Sequence, residues 1–284
     1  MPTLLTRTRT LLALALVAGL AWLALRGLPD GRLHVWFLDV GQGDAILIQA
    51  PDGRQILVDG GPSPAALGDE LGAVLPFWDR SLDLLVLTHP DADHLTGFLP
   101  LFGRYRIGGV VHNVDPADPA AAAWLDLLAR HAIAPGRAVR GARLQVGAVT
   151  LTVLNPGDGA GVAAGGNDND RSVVLRVDHG PASVLLTGDA GEAAEQAMIA
   201  AGLPLDVDIL KVAHHGSAGG TSARFLAHVT PELAVISVGT DNRFGHPAGE
   251  LLDRLAGVTV LRTDERGRIE AVADGDRWRV KTER

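Results

Sequence analysis

The sequence predicts an α/β fold: two mixed β-sheets face to face with helices outside, a four-layer αβ/βα sandwich. Short apolar runs alternate with helical stretches along most of the 284 residues. His and Asp recur directly after several of these runs, as when ligands gather at the ends of strands. No linker or short repeat interrupts residues 31–284, which predicts a single domain there.

The elements follow in order. His34–Val40 and Ala45–Ala50 are apolar runs separated by Gly41-Gln42-Gly43-Asp44. Asp52-Gly53 occupies a hairpin position before Gln55–Val58. Asp59-Gly60-Gly61-Pro62 then breaks the chain, and a helix is expected over Ala65–Leu75. Leu82–Thr88 is nearly all Leu and Val, which suits a strand buried on both faces. A short helix (Leu95–Leu101), a strand (Gly108–His112), a helix (Ala120–His131) and two strands within Leu144–Leu154 come next. Gly157–Gly166 reads as a loop, and Ser172–Val177 with Ser183–Thr187 as a hairpin. Helices are expected at Glu192–Ala201, Ser222–His228 and Gly249–Ala256. Strands are expected at Asp208–Ala213, Leu233–Val238, Val258–Arg262 and Ile269–Ala273.

The amino terminus is a separate object. Residues 11–25 are uncharged and mostly apolar, with Arg7 and Arg9 before them and Arg26 after. A spanning helix needs roughly 20 residues, and flanking threonines and snorkelling arginines bring the segment near that length. Residues 1–30 are expected to hold a membrane anchor over about 8–27, with a cleaved signal segment or an interfacial helix as alternatives. The positive leading end favours a body outside the cytoplasm, extracellular or periplasmic.

A net charge of −8 argues against broad electrostatic clamping of nucleic acid. Of the 25 basic residues only Lys211 and Lys281 are lysines, so local phosphate contacts would fall mainly to arginine. The absence of Cys excludes disulfides, thiolate metal sites and cysteine nucleophiles. Imidazole and carboxylate remain as metal ligands.

The chemistry concentrates at strand ends. Thr88-His89-Pro90-Asp91-Ala92-Asp93-His94 places two His and two Asp directly after a buried run. Clustered N and O ligands of this kind suit a two-metal hydrolytic site. Thr187-Gly188-Asp189 ends another strand, His214-His215-Gly216-Ser217 a third, and Phe244-Gly245-His246-Pro247 follows a fourth.

This order of motifs, with Asp59-Gly60-Gly61 ahead of it, resembles the metallo-β-lactamase superfamily. Asp39-Val40-Gly41-Gln42-Gly43-Asp44, the His89–His94 run, Asn169-x-x-Ser172 and Ala213-His214-His215-Gly216-Ser217 are similar to the carboxy-terminal domain of ComEC DNA-uptake proteins. The resemblance covers about residues 33–280; the many-helix channel domain of ComEC has no counterpart in this sequence.

The resemblance implies two divalent metal ions, zinc or manganese. It puts His89, Asp91 and one of His214 and His215 on the first metal, Asp93, His94 and His246 on the second, and Asp189 between them. Asp91 stands where the commoner pattern has His. Asp93, Asp189, His214 and His215 would carry the catalysis, with metal-acidified water as nucleophile. Asn169 and Ser172 occupy the region where lactonase-type members place a further His. Asp44 and Asp59 are read as groups that bond turn amides and orient ligands. Gly216, Ser217, Lys211 and Arg243 are the candidate phosphate contacts. The implied function is a phosphodiesterase or nuclease acting on DNA during uptake, partnered by the cytoplasmic membrane and a separate polytopic channel protein. A metallohydrolase of another phosphodiester or ester, and a non-catalytic membrane-attached binding domain, are the alternatives.

Overall fold

The computed structural model describes residues 11–19, 28–157, 168–275 and 277–284. The first half of the chain forms β1 (His34–Phe37), β2 (Ile46–Gln49), β3 (Gln55–Val58), β4 (Ser81–Leu82), β5 (Leu84–Leu87), β6 (Arg106–Ile107), β7 (Val110–His112) and β8 (Gly136–Arg137). The second half forms β9 (Arg143–Val146), β10 (Val149–Asn155), β11 (Val174–His179), β12 (Ala182–Leu186), β13 (Ile209–Lys211), β14 (Leu233–Ile236), β15 (Thr259–Arg262), β16 (Ile269–Asp274) and β17 (Arg277–Thr282).

Among the described residues these strands build two large sheets, ordered β17-β16-β1-β2-β3-β5-β7-β8 and β15-β14-β13-β12-β11-β10-β9, with β4 and β6 pairing separately. Side chains alternate across each strand, so each sheet presents two apolar faces. Val35, Phe37, Ile46, Ile48, Ile56 and Val58 of the first sheet meet Leu151, Val153, Leu175, Val177, Val184 and Leu186 of the second in the central core. The intervening Trp36, Leu47, Leu57 and Leu85 point outward and pack on Leu67, Leu71, Phe98 and Trp124. On the far side Leu185 and Leu210 pack on Met198, Phe225 and Val229. The four layers expected from the sequence are therefore present.

Local chemistry sets the helix limits. Pro64–Val74 starts at Ser63, whose Oγ accepts the Ala66 N–H at 3.3 Å, with Pro at the first turn. It ends at extended Leu75, ahead of Pro76. The expected helix over Leu95–Leu101 is instead Ala92–Leu95 followed by 3₁₀ turns at Thr96–Phe98 and Leu101–Gly103. Gly97 and Pro100 explain the break. Strand β17, which contains Trp278, is a mostly exposed, charged edge that pairs with β16.

Topology decides where the site lies. β3 and β5 are parallel neighbours in one sheet, and β12, β13 and β14 in the other. The loops leaving these strands carry Asp59, His89, Asp189, His214 with His215, and His246, so five carboxyl ends converge on one rim.

Of the expected anchor over 8–27, residues 11–19 are described and are helical with exposed leucines; the rest lies outside the described residues. No helix among the described residues is long and apolar enough to cross a membrane. Most of the loop expected over 157–166 also lies outside the described residues.

Candidate metal centre

Buried acceptors hold one nitrogen of each central ring. His94 Nδ1 lies 2.8 Å from Asp59 Oδ2. Thr88 Oγ1 donates to the same oxygen at 2.6 Å and lies 3.0 Å from His89 Nδ1, so the ring nitrogen is the donor there. His215 Nδ1 lies 3.0 Å from the Ser237 carbonyl, which can only accept. In all three rings Nδ1 therefore carries a proton, and Nε2 is the atom turned the other way.

Those Nε2 atoms converge. His94 Nε2 is 3.3 Å from Asp189 Oδ1, and His89 Nε2 is 3.9 Å from Asp189 Oδ2 and 3.6 Å from Asp91 Oδ2. His215 Nε2 is 3.3 Å from Asp93 Oδ2 and 3.6 Å from Asp189 Oδ2. Ligand atoms of His89, His94 and Asp189, and those of Asp93, His94 and His215, each lie within 4.8 Å of one another. The donor set fits divalent cations. Nε2 of His89, His94 and His215 and Oδ1 of Asp189 are buried with no hydrogen-bond partner, while the opposite ring nitrogens are bonded as in metal-ligating histidines.

Two further close groupings include Asp44 or Asp59. These carboxylates are already engaged. Asp44 forms an ion pair with the Lys211 ammonium and lies 3.3 Å from His215 Nδ1. Asp59 receives the Thr88 N–H, the Thr88 hydroxyl and His94. Asp59 accepts a turn amide as expected, whereas Asp44 faces the Lys211 ammonium and the His215 ring.

Charge is strongly coupled across the cluster. Burial pushes the Asp189 carboxyl up, but the imidazoles of His215, His94 and His89 outweigh it and hold the group well below the usual carboxylate range. Burial disfavours a charged His215, yet Asp189 and Asp44 raise it to about 9. His94 is likewise raised well above its ordinary value against its own burial, by Asp189 and Asp59. His214 and His246 move the other way, lowered first by burial.

Other expected residues fall around this core. Asn169 Nδ2 lies 3.3 Å from His214 Nδ1, and Ser172 Oγ accepts the Asp189 N–H at 3.2 Å. His214 Nε2 is 3.7 Å from Asp189 Oδ2. The His246 ring packs edge-on to His214 at 5.6 Å. The sequence reading grouped His246 with Asp93 and His94; the structure puts His215 beside Asp93 and sets His246 against His214. Left-handed backbone at His214 (φ 49°) and His215 (φ 52°) brings both rings to Asp189 Oδ2, at 3.7 and 3.6 Å, with their planes nearly perpendicular.

One expected phosphate contact, Lys211, is corrected, and the backbone N–H of a second, Ser217, has a partner within the chain. Lys211 is fully buried, with Nζ on Asp44 and 3.2 Å from the Gly188 carbonyl, so it pins the turn before Asp189 and does not reach substrate. The Ser217 N–H is taken by the His214 carbonyl at 2.8 Å and is not open to a phosphate. Gly216 is buried: a Cβ there would stand 2.6 Å from Pro247, so glycine lets the His246 loop close in. Arg243 is exposed, with its guanidinium 5.3 Å from the Phe244 ring centre.

Sequence reasoning missed three supports. Asn155 Nδ2 donates to the Asp170 and Ser172 carbonyls and fixes the Ser172 loop. Thr88 links His89 to Asp59. Ser237 acts through its backbone carbonyl, which no side-chain motif reveals.

A two-sheet sandwich with this His and Asp set at its strand ends defines a class. Residues 38–240 match the family model of the metallo-beta-lactamase superfamily, and the chain belongs to that superfamily. Among curated proteins it is similar to ComE operon protein 3 of Bacillus subtilis (strain 168), at 31% identity over 258 residues, 84% of this chain and 32% of the relative. It is also similar to competence protein ComA of Neisseria gonorrhoeae, at 31% identity over 261 residues, 91% of this chain and 35% of the relative. The chain thus spans about a third of the length of these relatives. In fold it is similar to the metallo-beta-lactamase fold protein YhfI from Bacillus subtilis, with a TM-score of 0.52 and 15% identity over 81% of this chain and 96% of that one.

Proposed function

We propose that the chain is a two-metal phosphodiesterase acting on DNA in connection with its uptake. The observation that carries this reading is the convergence of the unpartnered His89, His94 and His215 Nε2 atoms on Asp189. The similarity to competence proteins supports DNA as the substrate.

His89, Asp91 and His214 would hold one cation, Asp93, His94 and His215 the other, and Asp189 would touch both. Zinc or manganese suits these N and O donors. When bound, such cations supply Lewis acidity to phosphoryl oxygens and make water more acidic. The chain's own residues do the rest. Asp59, Thr88 and the Ser237 carbonyl hold three rings in one tautomer and orientation. Lys211 and Asp44 neutralise each other beneath the site and fix the Gly188 turn. His214, partly exposed, closes the cluster on its solvent side, with Nε2 3.7 Å from Asp189 Oδ2.

The test is hydrolysis by the full chain with Mn²⁺ or Zn²⁺ against a chelator control, on single-stranded DNA and on a chromogenic phosphodiester. Both should be cleaved, and Asp189→Ala should lower the rate by several orders of magnitude with the fold retained. Cleavage of the chromogenic diester alone would move the substrate outside nucleic acid. Cleavage of neither would leave a binding domain.

The apolar run and its leading arginines support a tether over about 8–27 with the body outside the cytoplasm; the resemblance to ComEC proteins supports a separate channel protein beside it. Protease added to spheroplasts should then digest the body; full protection would reverse the orientation.

A further inference from the structure

Phe244 lies in the loop between β14 and the helix Gly249–Arg254, two residues before His246, and is 56% exposed. Its ring stacks on His246 at 5.8 Å and 26°. His246 in turn meets His214 at 5.6 Å, and His214 Nε2 lies 3.7 Å from Asp189. Ring contacts therefore run from solvent to the metal centre.

The loop holds Phe244 out by construction. Asn242 Oδ1 accepts the His246 N–H at 2.9 Å, while its Nδ2 donates to the His246 carbonyl at 2.7 Å and to the Gly239 carbonyl at 2.9 Å. Gly245, at φ 71°, makes the reversal that sets the two rings nearly parallel. The Arg243 guanidinium lies over the Phe244 ring at 5.3 Å. A guanidinium and a nucleobase are both flat π groups that pack on an aromatic face, so the position it takes is one a base can occupy.

Resting on the phosphodiesterase reading above, we propose that Phe244 is a base-stacking subsite for single-stranded DNA, with Arg243 swinging off the ring to pair with the strand's phosphate. The net charge of −8 fits recognition by stacking better than by a broad basic surface. Bases in a duplex are already stacked on each other, so a single strand is the form this ring can hold.

The test is fluorescence anisotropy on the full chain in chelator, which prevents cleavage. It compares an oligothymidylate of about ten nucleotides, within the usual single-strand site size, with an abasic oligomer of equal length and with a blunt duplex. The wild type should prefer the oligothymidylate over the abasic strand by about 5- to 150-fold, the range expected for stacking one base. Phe244→Ala should bring that ratio close to one, and Phe244→Trp should retain it. Arg243→Gln should weaken both strands and flatten the salt dependence while keeping the ratio. Equal affinity for both strands, no binding of either, a duplex bound as well as the single strand, or a ratio unchanged in Phe244→Ala would each overturn the subsite. Cleavage of the abasic strand by metal-loaded protein without base preference would overturn the subsite alone. A base preference with no cleavage of any diester would overturn the catalytic reading and leave the subsite standing.

Discussion

The Asp59 carboxylate lies 2.8 Å from Nδ1 of His94, with both side chains fully buried. That contact aims Nε2 of His94 at Asp189, 3.3 Å away. The same carboxylate receives the Thr88 hydroxyl that backs His89, so one acid orients two rings.

Asp59→Asn tests that role. Asp59 has φ 58°, a left-handed conformation that Asn tolerates well, so the backbone should hold. Losing the charged acceptor should weaken metal affinity by about 10- to 100-fold. Competition titration with a chromogenic chelator measures it; unchanged affinity would remove Asp59 from the orienting network.

Lys211 and Asp44 form a fully buried ion pair. Lys211→Met leaves Asp44 facing only imidazoles, His215 at 3.3 Å and His94 at 3.9 Å, and should cost up to about 3–5 kcal/mol of stability. Adding Asp44→Asn should recover part of the loss. Urea unfolding of the two single variants and the double variant reads the coupling, and additive effects would contradict it.

Gly43 permits the approach of two loops. A Cβ on it would stand 2.2 Å from the Asp93 carbonyl oxygen, and its φ of 146° already disfavours other residues. Gly43→Ala should therefore displace Asp93 and lower metal affinity together with stability, by about 1–3 kcal/mol. A variant of wild-type melting temperature and metal affinity would show that the loops can move apart.

His112 gives a pH signature away from the metal centre. Burial, reinforced by the Arg137 charge, pushes its pKa down to about 4, and Nδ1 accepts the Val114 N–H at 3.2 Å. The unfolded chain takes up this proton near pH 6.5, the native protein only near 4. Its contribution is complete above about pH 6.5, is lost progressively as pH falls toward 4, and is gone below that. Unfolding free energies of wild type and His112→Asn, which keeps an acceptor, should differ by a constant amount above pH 7. In acid the wild type should lose stability faster.

Asp91 is half exposed and 3.6 Å from His89 Nε2. If it ligates, Asp91→His should shift metal preference toward zinc and retain activity. Asp91→Ala with unchanged metal affinity would make it only a turn residue.

Much of this protein is determined by local sequence. The short apolar runs Ile46–Gln49 and Leu84–Leu87 specify strands, because a strand with both faces covered needs apolar residues at successive positions. The ligand types after β5, β12 and β13 were legible for the same reason: a loop after a strand lies at the sheet's end. Which ligands share a neighbourhood was not. Nothing near Lys211 in sequence reveals that its ammonium is taken by Asp44, which lies far away along the chain. His214 and His215 could not be separated because their left-handed backbone breaks the alternation that would have assigned their directions. His215 reaches Asp93 from the end of β13 in the opposite sheet, while His246 packs on His214. Sequence spacing determines what a strand end carries. Only the packing of two sheets, through contacts between residues remote along the chain, decides which ends meet.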